Sequence, residues 1–214
     1  MRIGIIGTGN VGSALGKRWA DAGHEVMFGV RDPGDAKVKA LVAALGLPAR
    51  AGSVTEAAAF GEVVVLATPF AAAEAAIRQA GSLNGKVLID CTNPLTPDLT
   101  GLTVGHTTSA GEAVAGWAKS AKVVKTLNTT GAGNMSDPRY GGERASMFVC
   151  GEDAAAKGTA AELVGELGFD VVDAGPLSAA RLLEPLAMLW ITLAYSLGNG
   201  PNIAFRLMRR EAGR

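Results

Sequence analysis

Arg2-Ile3-Gly4-Ile5-Ile6-Gly7-Thr8-Gly9-Asn10-Val11-Gly12 opens the chain, and its reading decides the fold. The apolar run from Ile3 to Ile6, ending in a glycine, has the profile of a strand buried on both faces. From Val11 to Ala22, apolar residues at Val11, Ala14, Leu15 and Trp19 predict a helix laying one stripe on a sheet. Between strand and helix, Gly7, Gly9 and Gly12 stand in G-x-G-x-x-G spacing, which is weak evidence alone but gains weight in this context. Gly7 permits the tight turn, Gly9 lets the backbone approach a pyrophosphate, and Gly12 allows the helix to pack closely. Thr8, Asn10 and Val11 complete the loop, and the helix N-terminus offers unpaired N–H groups to phosphates.

Further units follow at regular spacing. Strands are predicted at Glu25 to Val30, around Ala49 to Ala51, at Glu62 to Ala67 and at Lys86 to Asp90. Helices between them are predicted near Ala36 to Leu45, Thr55 to Phe60 and Ala71 to Ala80. This alternation implies βαβ units and a doubly wound, Rossmann-type, mainly parallel sheet. Cys91 to Thr108 reads as a long loop, Gly111 to Lys119 as a helix, and Lys122 to Leu127 as a strand. Asn128 to Arg144 is expected to be irregular, and strand Ala145 to Cys150, helix Ala154 to Leu167 and strand Phe169 to Asp173 extend the sheet. Nothing in the composition marks a second domain, so residues 1–214 read as one dinucleotide-binding domain, with 178–214 a helical segment for pocket or dimer contacts.

Composition narrows the function classes. Hydrophobic residues are 48% and charged residues 19%, enough for a core and against disorder. Lys+Arg and Asp+Glu are 20 each with no basic run, and aromatics are 5%, which argues against nucleic-acid binding. Cys91 and Cys150 form no C-x-x-C and His24 and His106 are the only histidines, so no metal site is expected. The Met1-Arg2 start leaves no room for a signal peptide, which favours a cytoplasmic location. The most apolar stretch, Leu186 to Leu197, would reach roughly 18 Å as a helix at about 1.5 Å per residue, short of a ~30 Å hydrocarbon core.

Cofactor choice is read at the end of the second strand, where an NAD-selective site places a carboxylate for the ribose 2′-OH. Arg31 stands there, with Lys37 a turn later, and a guanidinium suits a 2′-phosphate; Asp32 is the only counter-signal. The expected cofactor is therefore NADP(H). Thr68, Pro69 and Phe70 end the fourth strand, at the edge where the nicotinamide ribose should run. The loops holding Asn93 and Asn128 follow the fifth and sixth strands and open on the same edge, with amides available to the ring and its carboxamide. No G-x-S-x-G elbow, Walker lysine or convincing acid–base group emerges, so no catalytic residue is assigned. That favours hydride transfer between two bound redox molecules, for which the protein supplies alignment.

The opening stretch, Gly29-Val30-Arg31, and above all Asp173-Ala174-Gly175-Pro176-Leu177-Ser178 with Arg181 and Glu184 resemble the coenzyme F420-dependent NADP reductases and the related dinucleotide-binding domain of ferric reductases. The family often carries a serine where Val30 stands, and its loss removes one hydroxyl from the 2′-phosphate site. The resemblance implies an oxidoreductase moving a hydride between NADPH and a deazaflavin (coenzyme F420) or flavin acceptor. It places Thr8, Arg31 and Lys37 on the nucleotide and Thr68 to Phe70 near the redox centre, with Asn128 to Asn134 and the C-terminal helix as acceptor walls.

Two alternatives stand beside this reading: an NADP-dependent dehydrogenase of the β-hydroxyacid or imine-reducing sort, and a non-catalytic NADP(H)-sensing protein. The first commonly uses a helical lysine with an asparagine one turn on. Lys125 and Asn128 have that spacing, but in a β-patterned run they are expected on opposite faces. The partners expected are a small-molecule redox acceptor, no nucleic acid, no membrane, and a second copy of the chain. Leu186, Leu189, Trp190 and Leu193 share one helical face, and this face is expected to form the homodimer contact, with Trp190 within it.

Overall fold

The computed structural model describes residues 1–46 and 49–210. Its first six strands are β1 (Arg2–Ile6), β2 (Glu25–Val30), β3 (Ala49–Ser53), β4 (Val63–Leu66), β5 (Val87–Asp90) and β6 (Lys122–Lys125). They are joined through helices α1 (Asn10–Asp21), α2 (Ala36–Leu45), α3 (Val54–Phe60), α4 (Phe70–Ala80) and α5 (Ala110–Trp117). After β6 come α6 (Ala132–Ser136), the hairpin β7 (Arg139–Tyr140) and β8 (Glu143–Arg144), β9 (Ser146–Gly151), α7 (Ala154–Glu166), β10 (Asp170–Gly175) and α8 (Ala180–Ile191). The main sheet has the order β10-β9-β6-β5-β4-β1-β2-β3. Every pairing in it is parallel except β6 with β9. This is the doubly wound α/β sheet with its added α/β unit. The strand order reverses between β1 and β4, which opens a crevice at the carboxyl ends of the strands.

Central strands are buried on both faces, which is why Val63 to Leu66 and Ile3 to Ile6 carry no polar residue. One core layer joins α1, α2, α6 and α7 to the sheet through Trp19, Val38, Met135 and Leu163. The opposite layer joins α3, α4, α5 and α8 through Ala58, Ile77, Val114 and Leu183. The Trp19 indole N–H donates to the Leu163 carbonyl at 3.1 Å, tying the first helix to α7.

Three sequence-based expectations are corrected. Asn128 to Arg144 is not irregular throughout: it holds α6 and the β7–β8 hairpin. Its glycines masked this, since they break every local periodicity. The C-terminal helical segment read over 178–214 ends early, since 197–210 carry no helix: the turn Leu177–Ala179, α8 and a π-type turn Thr192–Ser196 run on as one 20-residue stretch, longer than the apolar run Leu186 to Leu197. By length and composition it could cross a membrane, yet here it carries the buried Glu184 and lies against the sheet. Finally, Trp190 is 4% exposed. It faces inward, its indole N–H donating to the Ile203 carbonyl at 2.7 Å, so it does not belong to an outward contact face. The apolar side chains left outside are Leu182, Leu189, Tyr195 and Leu197.

Candidate functional site

The glycine loop assigns a different physical constraint to each glycine. Gly7 has φ +110°, and a Cβ there would lie 2.6 Å from the Ala67 carbonyl oxygen, so only glycine fits the turn. At Gly12 a Cβ would lie 2.2 Å from the Gly7 carbonyl oxygen, which sets how closely α1 rests on the loop. At Gly9, by contrast, a Cβ would meet nothing within 4 Å, and φ −70°, ψ −173° is accessible to any residue. Nothing within the chain requires glycine at position 9, so the space beside it is open to a ligand. No side chain caps α1 among the described residues, whereas Asp35, Ser53, Ser109 and Asp153 cap α2, α3, α5 and α7. Thr8 accepts from the Ser13 hydroxyl through its carbonyl and leaves its side chain half-buried over the loop. Asn10 is exposed and Val11 half-buried on the first turn of α1.

Arg31 and Lys37 are both exposed beyond the end of β2, and neither makes an ion pair among the described residues. Asp32 turns away: its Oδ1 accepts from the Gly34 backbone at 2.8 Å. Thr68, Pro69 and Phe70 enter α4, whose N-terminus is likewise uncapped by any described side chain. The Thr68 Oγ1 is buried without a hydrogen-bond partner among the described residues. The Phe70 ring rests on Trp117 with centroids 5.6 Å apart, which fixes the entry to α4.

Asn93 and Asn128 meet across the ends of β5 and β6. The Asn93 side chain donates to the Asn128 carbonyl at 2.8 Å, and the Asn128 amide donates to Asn93 Oδ1 at 3.0 Å and the Leu183 carbonyl at 3.2 Å. Both acceptors oblige Asn128 to face them with its NH2, so its Oδ1 points elsewhere, buried and without a donor. An acceptor left that way costs about 1–3 kcal/mol.

Beneath this pair lies a cluster the sequence did not reveal as a unit. Lys125, Asp90 and Glu184 are 0%, 0% and 1% exposed in their side chains. Lys125 Nζ lies 2.9 Å from Asp90 Oδ2 and 3.0 Å from Glu184 Oε1, and donates to the Thr92 carbonyl at 2.5 Å. Burial works against the lysine's charge, but the two carboxylates outweigh it and hold its pKa above the ordinary value. Glu184 also accepts from the Ala110 and Gly111 amides, closing the N-terminus of α5, and Asp90 Oδ1 accepts from Thr92 N. One turn before Glu184, Arg181 pairs with Glu112. The late Arg181–Glu184 signature is thereby explained: both residues reach back to α5. A charged residue closing a buried strand, as Asp90 closes Val87–Asp90 and Lys125 closes Lys122–Lys125, was the available signal.

Lys125 and Asn128 do not diverge as their spacing implied. Leu127, fully buried, has φ +58°, and after this left-handed turn both side chains reach the Leu183–Glu184 segment of α8. His24 lies between the Met1 amine, at 3.2 Å from Nδ1, and Glu166, at 2.6 Å from Nε2. Burial raises the Cys91 thiol strongly and pushes Cys150 up to about 12, so both stay protonated. Among the described residues no cluster of three metal-ligating side chains occurs. A cleft of about 860 Å³ lies between the Leu102–His106 loop and Ser178–Pro185, away from the glycine loop.

Against known proteins, the family model described as NADP oxidoreductase, coenzyme F420-dependent, matches residues 2–94. The F420-dependent NADP reductase of Methanothermobacter marburgensis is 30% identical over 207 residues, covering 90% of this chain and 92% of that protein. The metalloreductase STEAP3 of Rattus norvegicus is 29% identical over 191 residues, which is 88% of this chain but only 37% of STEAP3. Among solved structures, a candidate F420-dependent NADP reductase from Arthrobacter sp. FB24 superposes with a TM-score of 0.89 at 39% identity, over 98% of this chain and all of that one. The chain therefore belongs to the coenzyme F420-dependent family of NADP oxidoreductases.

Proposed function

We propose that the protein transfers a hydride between NADPH and a deazaflavin of the coenzyme F420 type, or a flavin in its place. The observation that carries the cofactor half is the open space at Gly9 before an uncapped α1, which fits a pyrophosphate. Arg31 and Lys37, exposed and without ion-pair partners among the described residues, suit the 2′-phosphate. The edge formed by Thr68, Pro69, Phe70, Asn93 and Asn128 would then receive the nicotinamide.

None of those five side chains is ionisable, and the charged groups nearest in the chain, Asp90 and Lys125, are sealed and neutralise each other. Such an edge can align two rings but offers no proton donor. That suits a reaction in which the hydride leaves C4 of the dihydronicotinamide for the acceptor ring and solvent supplies the accompanying proton. It disfavours a dehydrogenase using Lys125 as acid or base. The relatives named as F420-dependent NADP reductases, matched over most of their length, support a deazaflavin as acceptor. The exposed apolar side chains Leu182 and Leu189, seven residues apart on one side of α8, support a homodimer, since an apolar face meeting its own copy across a two-fold axis is self-complementary.

The test is the loss of NADPH absorbance with coenzyme F420, FMN, FAD and ferric chelates offered in parallel. Turnover with F420 at least tenfold above the other acceptors is expected. Turnover with ferric chelates alone, or with none, would overturn the reading.

A further inference from the structure

Lys125 has three N–H donors and the structure uses all of them: Asp90 from the neighbouring strand, Glu184 from α8, and the Thr92 carbonyl. Thr92 is thus held at both ends, its N–H by Asp90 Oδ1 and its C=O by Lys125. The next residue is Asn93, whose side chain is paired reciprocally with Asn128, and Asn128 is itself tied to Leu183, the neighbour of Glu184. Every contact that orients the orphan Asn128 Oδ1 therefore leads back, within one residue, to a partner of Lys125. A lysine that is fully buried and touches no open space has no direct access to substrate.

We propose that Lys125 is a positioning residue for the nicotinamide: it locks the Thr92–Asn93 turn and, through it, holds the half-buried Asn93 of the Asn93–Asn128 pair at the edge where the ring lies. This rests on the placement of the nicotinamide at the Asn93–Asn128 edge.

The experiment separates the nicotinamide from the rest of the cofactor by titrating NADPH and 2′-phospho-ADP-ribose, which lacks only that ring. Lys125→Met alone would bury two carboxylates without their cation, so the informative variant is the double Asp90→Asn, Lys125→Met. It keeps the net charge of the cluster, leaves Glu184 on the α5 amides and leaves an acceptor at position 90 for Thr92 N–H. The double variant should bind 2′-phospho-ADP-ribose within about twofold of the unsubstituted protein, while its NADPH affinity falls at least tenfold. Unchanged NADPH affinity in the double variant, or equal weakening of both ligands, would overturn the proposal and leave the cluster a structural brace. An unsubstituted protein that binds both ligands equally would overturn it too. Acceptor turnover of the unsubstituted protein, measured separately, decides the underlying assignment.

Discussion

Substituting valine at Gly9 and at Gly12 separates cofactor binding from folding within one loop. At Gly9 the backbone is extended and a Cβ meets nothing within 4 Å, so a β-branched side chain is accommodated. Removing glycine restricts the unfolded chain, a gain of about 0.4–1 kcal/mol. An aliphatic residue is a poorer N-cap than glycine, a loss on the order of 1 kcal/mol. The two nearly cancel, and a net change within ~1 kcal/mol moves the melting temperature of a chain this size by about 2–4 °C. At Gly12 the added carbon would sit 2.2 Å from the Gly7 carbonyl oxygen, about 1 Å inside an ordinary contact, so α1 must lift off the loop. Overpacking of that kind costs about 1–3 kcal/mol or more. Thermal denaturation and calorimetric titration with NADPH on both variants give the comparison. Gly9→Val should melt within about 4 °C of the unsubstituted protein and lose at least tenfold in NADPH affinity, or about 1.4 kcal/mol. Gly12→Val should melt clearly lower. If Gly9→Val bound NADPH normally, the open space would not be the pyrophosphate site and the cofactor placement would fail with it.

Arg31→Ala should remove most of a preference for NADPH over NADH that a charge-assisted contact of roughly 1.5–3 kcal/mol sustains at tenfold or more; equal affinities before substitution would refute this in a single titration. Trp190→Ala should destabilise the fold by about 3–5 kcal/mol, as truncation of a buried indole does, and a neutral result in denaturant unfolding would contradict its inward placement. Leu189→Asp, on the exposed side of the same helix, should instead turn a homodimer into monomers in sedimentation without lowering NADPH affinity. Hydrogen bonding from Arg181 holds the Glu112 carboxyl below its usual value, so this pair stabilises the fold fully above about pH 4.5 and loses that effect as pH falls through the depressed value. The melting gap between the unsubstituted protein and Arg181→Gln should therefore be small, under about 1 kcal/mol for a half-exposed pair, and should close on acidification. A gap that widened below pH 4 would reverse the sign of the argument.

The elements with a strong local pattern were legible from the sequence: β1, the glycine loop, α1 and the β-branched β4 lie within a residue or so of where their periodicity placed them. The roles of Gly7 and Gly12 were legible too, because they follow from chain geometry alone. What escaped was set by contacts between distant segments. Trp190 faces inward because Ile203, in a stretch with no periodicity, accepts its N–H, and because Gly131 leaves room for the ring, a Cβ there lying 2.7 Å from it. Asn134 donates to the Pro201 and Ile203 carbonyls, anchoring the same stretch to α6. The shared direction of Lys125 and Asn128 depends on a left-handed leucine, a conformation that no propensity would assign to Leu127.

The sealed cluster also bears on the order in which the chain can mature as it is made. Lys125 and Asp90 pair across neighbouring strands, but the second carboxylate, which also accepts from the first two amides of the Ser109-capped α5, arrives on Glu184, 74 residues after Ala110. At a synthesis rate of about 5–20 residues per second, α5 waits roughly 4–15 s with its first amides unpaired. During that interval the layer beside Leu88 and Val123 holds α4 and α5 but lacks α8, whose Leu183 completes it. Strands β1 to β4 are complete long before, so a ribosome-bound intermediate would consist of a formed glycine loop beside an unfinished Asn93–Asn128 edge. Stalling translation ahead of residue 184 should leave a nascent chain whose β5–β6 region is cut by protease while β1 to β4 resist.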